Sequence, residues 1–315
     1  MEFLRLIRYK NLIIIVLLQY LLRYSFILPI LHSYNIVPVL SGFRFGLMVL
    51  ATVLLAASGY VINDYFDIQI DHINRPGKVI VGQRYSRRTA LFLHIVFTIS
   101  GVIIGLFLAY VARRESYAIM FLAIPVILWY YSTTFKKQVL IGNIIIAFLT
   151  ALVAYLVVSL EFAMLAKIHG DEILTLPACS IAWFWTSAFA FFAFISTLGR
   201  EIIKDMEDVE GDLLGGCKTL PIELGMGYSK TIVILLHFLL IVSLWFGLFQ
   251  TDIATANELF TISLTSLLSI VLLVLIAVIY FAKAPKHYKL ASSVSKLNML
   301  LGILFFALAG YILFR

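Results

Sequence analysis

Nine stretches of the chain are apolar for long enough to cross a bilayer, and the polar residues collect between them. A spanning helix needs roughly 20 consecutive, mostly apolar residues. Such runs fall at about 12–31, 45–62, 89–111, 117–135, 138–160, 178–199, 230–250, 258–282 and 295–314. The pattern predicts an all-α integral membrane bundle of about nine transmembrane helices, forming a single membrane domain over residues 1–315. The first run is too long for a signal peptide and lacks a small-residue cleavage site, so it is expected to be retained as a helix.

Composition agrees with a lipid setting. Of 315 residues, 62% are hydrophobic and 13% charged, against about half and a quarter in soluble domains. Cys179 and Cys217, the two cysteines, have no metal-ligand spacing, and no disulfide framework is expected.

Lysine and arginine favour cytoplasmic segments. With the N-terminus placed in the cytoplasm, 18 of them fall on that side, and five, Arg44, Arg113, Arg114, Lys167 and Arg315, fall on the other. The bias predicts nine spans in a cell inner membrane, the N-terminus inside and the C-terminus outside. The net charge of +7 follows from this rule and from contact with anionic membrane lipid, so nucleic acid is not an expected partner.

Two segments on the predicted cytoplasmic face, 63–88 and 200–229, are long and polar, as functional loops are. They hold ten of the chain's 17 acidic residues. In the first, Asn63, Asp67 and Asp71 recur at every fourth position, continuing the second helix and sharing one face. In the second, Glu201, Lys204, Asp208 and Asp212 follow at steps of three, four and four. Either cluster alone reads equally as a solvated helix end. Two together stack like charges at helical spacing, which is unfavourable without a cation. Carboxylate and amide oxygens suit Mg²⁺, which takes a few protein ligands and completes its shell with substrate phosphates. Facing clusters of this kind can bridge a diphosphate.

Basic residues flank both clusters: Arg75 and Lys78 after the first, Arg200, Lys204 and Lys218 around the second. Singly each is a topology signal; as a set they fit a diphosphate clamp. Between the fourth and fifth runs, Lys136 and Lys137 read either as positive-inside residues or, with Tyr131, as diphosphate ligands. Arg23 lies within the first run, and the expectation is that it faces the cavity, towards the diphosphate or an acceptor phosphate.

At these residues the chain resembles the UbiA superfamily of intramembrane aromatic and lipid prenyltransferases. Its first motif, Asn-xxx-Asp-xxx-Asp, is met by Asn63, Asp67 and Asp71, with Arg75-Pro76 following. Its second, Asp-xx-Tyr-xxx-Asp-xxx-Asp, is met at Asp208 and Asp212 but has Glu201 for Asp and Lys204 for Tyr. The opening Leu6–Asn11 and the segment Tyr131–Asn143 resemble the superfamily too. Within it, Arg200–Asp212 followed by Lys218-Thr-Leu-Pro221 looks most like the digeranylgeranylglyceryl phosphate synthase branch. The Val-Glu-Gly-Asp element is also shared with homogentisate prenyltransferases and chlorophyll synthases.

The resemblance implies a helical bundle around a central cavity, built from two related halves at about 1–160 and 161–315, with its acidic motifs facing each other. It implies Mg²⁺ held by Asn63, Asp67, Asp71, Asp208 and Asp212, a prenyl diphosphate as donor and a lipophilic acceptor. The acceptor is either a prenylated glycerol phosphate, giving an ether lipid, or an aromatic ring of the quinone, tocopherol, haem or chlorophyll type. Glu201 and Asp205 are then the nearest uncommitted carboxylates for proton removal, and Lys204 can pair an acceptor phosphate. Tyr60, Phe66, Tyr130, Tyr131, Phe191, Phe192 and Phe194 are candidates for lining a prenyl tunnel. A transporter, the rival from another class, would place carboxylates near the middle of several spans, and the nine runs contain almost none.

Overall fold

Serine side chains open two of the long helices. Ser41 Oγ accepts the Arg44 N–H at 3.3 Å, and Ser86 Oγ accepts that of Thr89 at 3.1 Å. Each satisfies an amide that a helix start leaves unpaired. The computed structural model describes residues 1–74, 77, 79–250 and 258–313, and every extended regular element among them is a helix. In chain order these are α1 (Glu2–Leu6), α2 (Tyr9–Leu22), a π-helical turn (Arg23–Ile27), α3 (Leu28–Ser33), α4 (Gly42–Phe66), α5 (Ile68–Asn74), α6 (Arg87–Ala112), α7 (Glu115–Thr133), a 3-10 turn (Phe135–Lys137), α8 (Ile141–His169), a second 3-10 turn (Asp171–Thr175), α9 (Pro177–Glu207), α10 (Val209–Leu214), α11 (Leu220–Glu223), α12 (Gly225–Gln250), α13 (Glu258–Phe281) and α14 (Pro285–Leu313).

Among the described residues nine helices are long and apolar enough to cross a bilayer, α2 to α3 counting as one span, Tyr9–Ser33. This is an integral membrane protein. Its surface says so independently: on α6, Phe92, Val96, Ile99, Ile103, Phe107 and Tyr110 are all exposed at steps of three and four, an apolar stripe where a water-facing helix would carry charge. The π-helical turn has a local cause. Pro29 has no N–H to return to the Ser25 carbonyl, and the helix widens there, with the Leu28 N–H reaching Arg23 instead.

α4 packs on α6, α8 on α9, and α9 in turn on α12 and α14. A small apolar cluster of Leu6, Val61, Val81 and Ala90, flanked by Ile7, Tyr65 and Ile68, folds the N-terminal turn and the 79–90 segment beneath the end of α4. That cluster closes the polar end of the bundle.

Two expectations about the polar segments need correction. Residues 200–207 are not loop but the last two turns of α9, held there by side-chain bonds described below. Conversely, the acids of each motif do not continue one unbroken helix. α4 stops at Phe66 and Asp67 caps it with φ −89° and ψ 5°; α9 stops at Glu207 and Asp208 caps it with φ −102° and ψ 10°. The backbone turns at each acid and a short helix, α5 or α10, sets off in a new direction. The two breaks match bond for bond: the Asp67 N–H donates to Asn63 and the Asp208 N–H to Lys204, and the Asp71 N–H donates to Asp67 and the Asp212 N–H to Asp208.

Candidate active site

The two short helices that follow the breaks touch. Asn74 Oδ1, at the end of α5, accepts the Gly211 N–H of α10 at 2.9 Å. This contact brings together two motifs that lie 137 residues apart at that bond.

Asp67 is the hub of the first motif. Its Oδ2 accepts from Asn63 Nδ2 at 2.7 Å, and its Oδ1 is ion-paired with Lys136 Nζ, both side chains being largely buried. Lys136 reaches it from the 3-10 turn between α7 and α8. Gly142 seats that turn: a Cβ there would lie 2.8 Å from Lys136 Cα and 3.0 Å from the Phe135 carbonyl. Because the obstruction is backbone, Gly142→Ala must displace the turn. The expected result is a roughly tenfold loss of turnover, from the cost of mispositioning a charged group. A saturating single-turnover assay checks it, and a rate within twofold of wild type would show that Lys136 does not need this seat.

In the second motif Glu201 Oε1 accepts from Lys204 Nζ at 2.6 Å and from Arg200 at 3.1 Å. Asp205 Oδ2 accepts from Asn143 Nδ2 at 2.7 Å, which ties the end of α9 to the start of α8. Tyr131 lies between the motifs, within electrostatic reach of Glu201, Asp205 and Asp67. Cys217 lies there too, near Asp212, Lys136, Lys137 and Asp67; burial and the Asp212 carboxylate push its thiol above the ordinary range. Both cysteines are free and buried.

Of the residues singled out from sequence, the structure therefore gathers Asn63, Asp67, Tyr131, Lys136, Glu201, Lys204 and Asp205, with Asp71, Asp208 and Asp212 on the same two breaks. Glu201 is not an uncommitted carboxylate, since two cations hold it. Lys137 and Lys218 are exposed, joined by a backbone bond from the Lys218 N–H to the Lys137 carbonyl at 2.8 Å, so their side chains stand at the solvent edge of the cluster. Arg75 and Lys78 lie outside the described residues. Arg23 does not face the motifs. It is bonded to Glu161 Oε2 at 2.8 Å and to the Leu40 carbonyl, 3% exposed, because α8 runs on past residue 160 and carries Glu161 into the bundle.

Sequence reasoning passed over Arg8, which binds Asp64 Oδ1 at 2.8 Å and sits 5.0 Å over the Tyr60 ring. Burial works against the Arg8 charge, yet Asp64 and, further off, Asp71 more than offset this and hold the guanidinium above its ordinary range. The left-handed backbone of Arg8 (φ 49°) was not legible in the sequence.

The donor set suits a hard divalent cation. Asn63 commits its amide nitrogen to Asp67 while its Oδ1 is buried with no hydrogen-bond partner, an oxygen left for a cation to satisfy. Among the described residues no three acids close into a ready-made cage; Mg²⁺ shares its shell between one or two carboxylates, water and phosphate.

Residues 26–308 match the UbiA prenyltransferase family. The digeranylgeranylglyceryl phosphate synthase of Methanothermobacter thermautotrophicus is 34% identical over 244 residues, covering 77% of this chain and 74% of that one. A solved structure described as giving structural and mechanistic insights into digeranylgeranylglyceryl phosphate synthase in membranes superposes with a TM-score of 0.61 at 22% identity over 98% of both chains. A UbiA homologue from Archaeoglobus fulgidus bound to GPP and Mg²⁺ superposes with a TM-score of 0.54 at 18% identity, over 97% of this chain and 99% of that one. At these identities the two structures show a common fold. By the family match over residues 26–308 and by a relative 34% identical over 77% of its length, the chain belongs to the UbiA prenyltransferase family.

Proposed function

We propose that this prenyltransferase moves a geranylgeranyl group from geranylgeranyl diphosphate to the free hydroxyl of geranylgeranylglyceryl phosphate, with Mg²⁺ as cofactor. The observation that carries it is the pair of matched helix breaks at Asp67 and Asp208, brought together in a chain 34% identical to a digeranylgeranylglyceryl phosphate synthase. The GPP and Mg²⁺ bound to the A. fulgidus homologue support the donor class and the metal.

On this reading Asn63, Asp67, Asp71, Asp208 and Asp212 hold the metal, which neutralises charge growing on the departing diphosphate. Lys136 grips the diphosphate oxygens, supplemented by Arg75 and Lys78 and, at the rim, Lys137 and Lys218, with the Tyr131 hydroxyl beside them. The bond from prenyl C1 to the diphosphate oxygen breaks, the acceptor oxygen bonds to C1, and its proton passes to Asp205, whose carboxylate Asn143 already orients. The allylic cation must be kept from water. An open apolar cleft of about 100 Å³ between α9, α12 and α14, lined by Phe191, Phe192, Phe305 and Phe306 among others, offers aromatic faces to a prenyl chain. The excess of lysine and arginine at the motif end supports a cytoplasmic active site and N-terminus. The matched breaks support two related halves at about 1–160 and 161–315.

The test supplies purified protein in nanodiscs with radiolabelled geranylgeranyl diphosphate and geranylgeranylglyceryl phosphate, 4-hydroxybenzoate, homogentisate, a naphthoate or haem, with Mg²⁺ or EDTA. Label is expected in the phosphate-bearing lipid alone, lost with EDTA, and slowed about 10²-fold by Asp205→Asn. Label only in an aromatic acceptor would replace the acceptor. Undiminished turnover by Asp205→Asn would remove it as the base.

A further inference from the structure

Cations from the N-terminal segment, α9 and α14 gather beside the motifs. Arg8 binds Asp64 and covers Tyr60, and Asn11, one turn further along, accepts through Oδ1 from Lys296 Nζ at 2.7 Å across 285 residues. Lys296, on α14, senses Arg200 and Lys10, both of its own sign. Arg200 and Lys204 share the one carboxylate of Glu201. The group thus sets five cations, Lys10 at its rim among them, against Asp64 and Glu201 in direct ion pairs, with Asp71 acting on Arg8 and Asp205 on Lys204 from further off, which leaves one positive charge over.

Such a surplus at the edge of a bilayer is costly unless an anion occupies it. Arg200 Nε is buried with no hydrogen-bond partner, an N–H awaiting an acceptor. A phosphate monoester carries about −1.5 to −2 charges near neutral pH and three acceptor oxygens, which suits one guanidinium and two ammonium groups. The prenyl diphosphate is served elsewhere, by Lys136 and the acids around it.

We propose that Arg200, Lys204 and Lys296 form a subsite for the phosphate monoester of the acceptor lipid, separate from the diphosphate site. Asn11 positions the Lys296 ammonium, and Glu201 aligns the other two cations. The inference rests on the proposed reading that the acceptor bears a phosphate. It also accounts for Lys204 where the superfamily motif has tyrosine: a neutral phenol would add no charge to the group. It moves Arg200 and Lys204 from the donor's site to the acceptor's.

The experiment measures KM for geranylgeranylglyceryl phosphate and for geranylgeranyl diphosphate with wild type, Lys296→Met, Lys296→Arg and Asn11→Ala. Lost charge-assisted hydrogen bonds are worth tenfold or more, so Lys296→Met is expected to raise the acceptor KM at least about tenfold and leave the donor KM within twofold. Lys296→Arg is expected to restore most of it, and Asn11→Ala to show the same acceptor-only effect more weakly. Wild type should strongly prefer the phosphate lipid to geranylgeranylglycerol, and Lys296→Met should lose that preference. An unchanged acceptor KM, equal rises in both KM values, or competition by inorganic phosphate as strong as by glycerol 1-phosphate would overturn the subsite while leaving the prenyltransfer reading standing. A wild type that prenylates no phosphate-bearing acceptor would instead sink the acceptor assignment itself.

Discussion

Asp67→Asn is expected to lower turnover about 10²–10³-fold, the usual consequence of deleting one preorganised charge at a site where charge develops in the transition state, while leaving the melting midpoint in detergent near that of wild type. The substitution keeps the size of the side chain and removes only its charge. In the native protein one Asp67 oxygen receives the Asn63 amide at 2.7 Å and the other receives Lys136. An asparagine would turn its NH2 group towards either the Asn63 amide or Lys136, both donors, so the variant also unsettles Asn63, whose Oδ1 is the buried oxygen available to a metal. Single-turnover rates across a Mg²⁺ titration separate the two losses: weakened metal binding shifts the midpoint, and lost stabilisation lowers the plateau. Asp208, on the matched break, is expected to behave alike. Asp64→Asn should cost less, because Asp64 is spent on Arg8. A plateau for Asp67→Asn within fivefold of wild type would remove Asp67 from the centre of the reaction.

What could be seen in the sequence was what repeats locally. Runs of apolar residues announce helices whatever their neighbours do, and nine runs match the nine long apolar helices among the described residues. Acids four apart announce a shared face, so Asn63, Asp67 and Asp208 were in view at once. The turns at Asp67 and Asp208 were not, because a single residue in the bridge region leaves no mark on periodicity. Nor were the partners. Lys136 meets Asp67 across 69 residues, Asn143 meets Asp205 across 62, and Lys296 meets Asn11 across 285; each pairing exists only because distant helices pack side by side. The clearest warning was Arg23, a charge inside an apolar run. It called for a counter-ion in another span, and Glu161, just beyond the fifth apolar run as first bounded, was that ion.

Arg23→Leu is accordingly expected to destabilise the protein by about 3–5 kcal/mol, the cost of stranding a buried charge, without lowering turnover per folded molecule. Glu161 is fully buried, and its Oε1 already lacks a partner, so losing Arg23 leaves the carboxylate with nothing. Arg23 also holds the Leu40 carbonyl and stacks 4.6 Å over the Phe45 ring, so it fastens the 34–41 connection to α2 and α4. The pair sits about 20 Å along its helix from Arg8, at 1.5 Å per residue, too far to touch the motifs. Charge reversal of the argument gives the control: Arg23→Met combined with Glu161→Leu removes both ions and should recover most of the loss, since replacing a whole buried pair with apolar groups is often neutral. Melting in detergent and single-turnover rates, measured on the two variants, decide it. A single variant that melts normally but has lost activity would place Arg23 against a substrate after all; a double variant no more stable than the single would show that packing around Arg23, rather than its charge, is what the bundle needs.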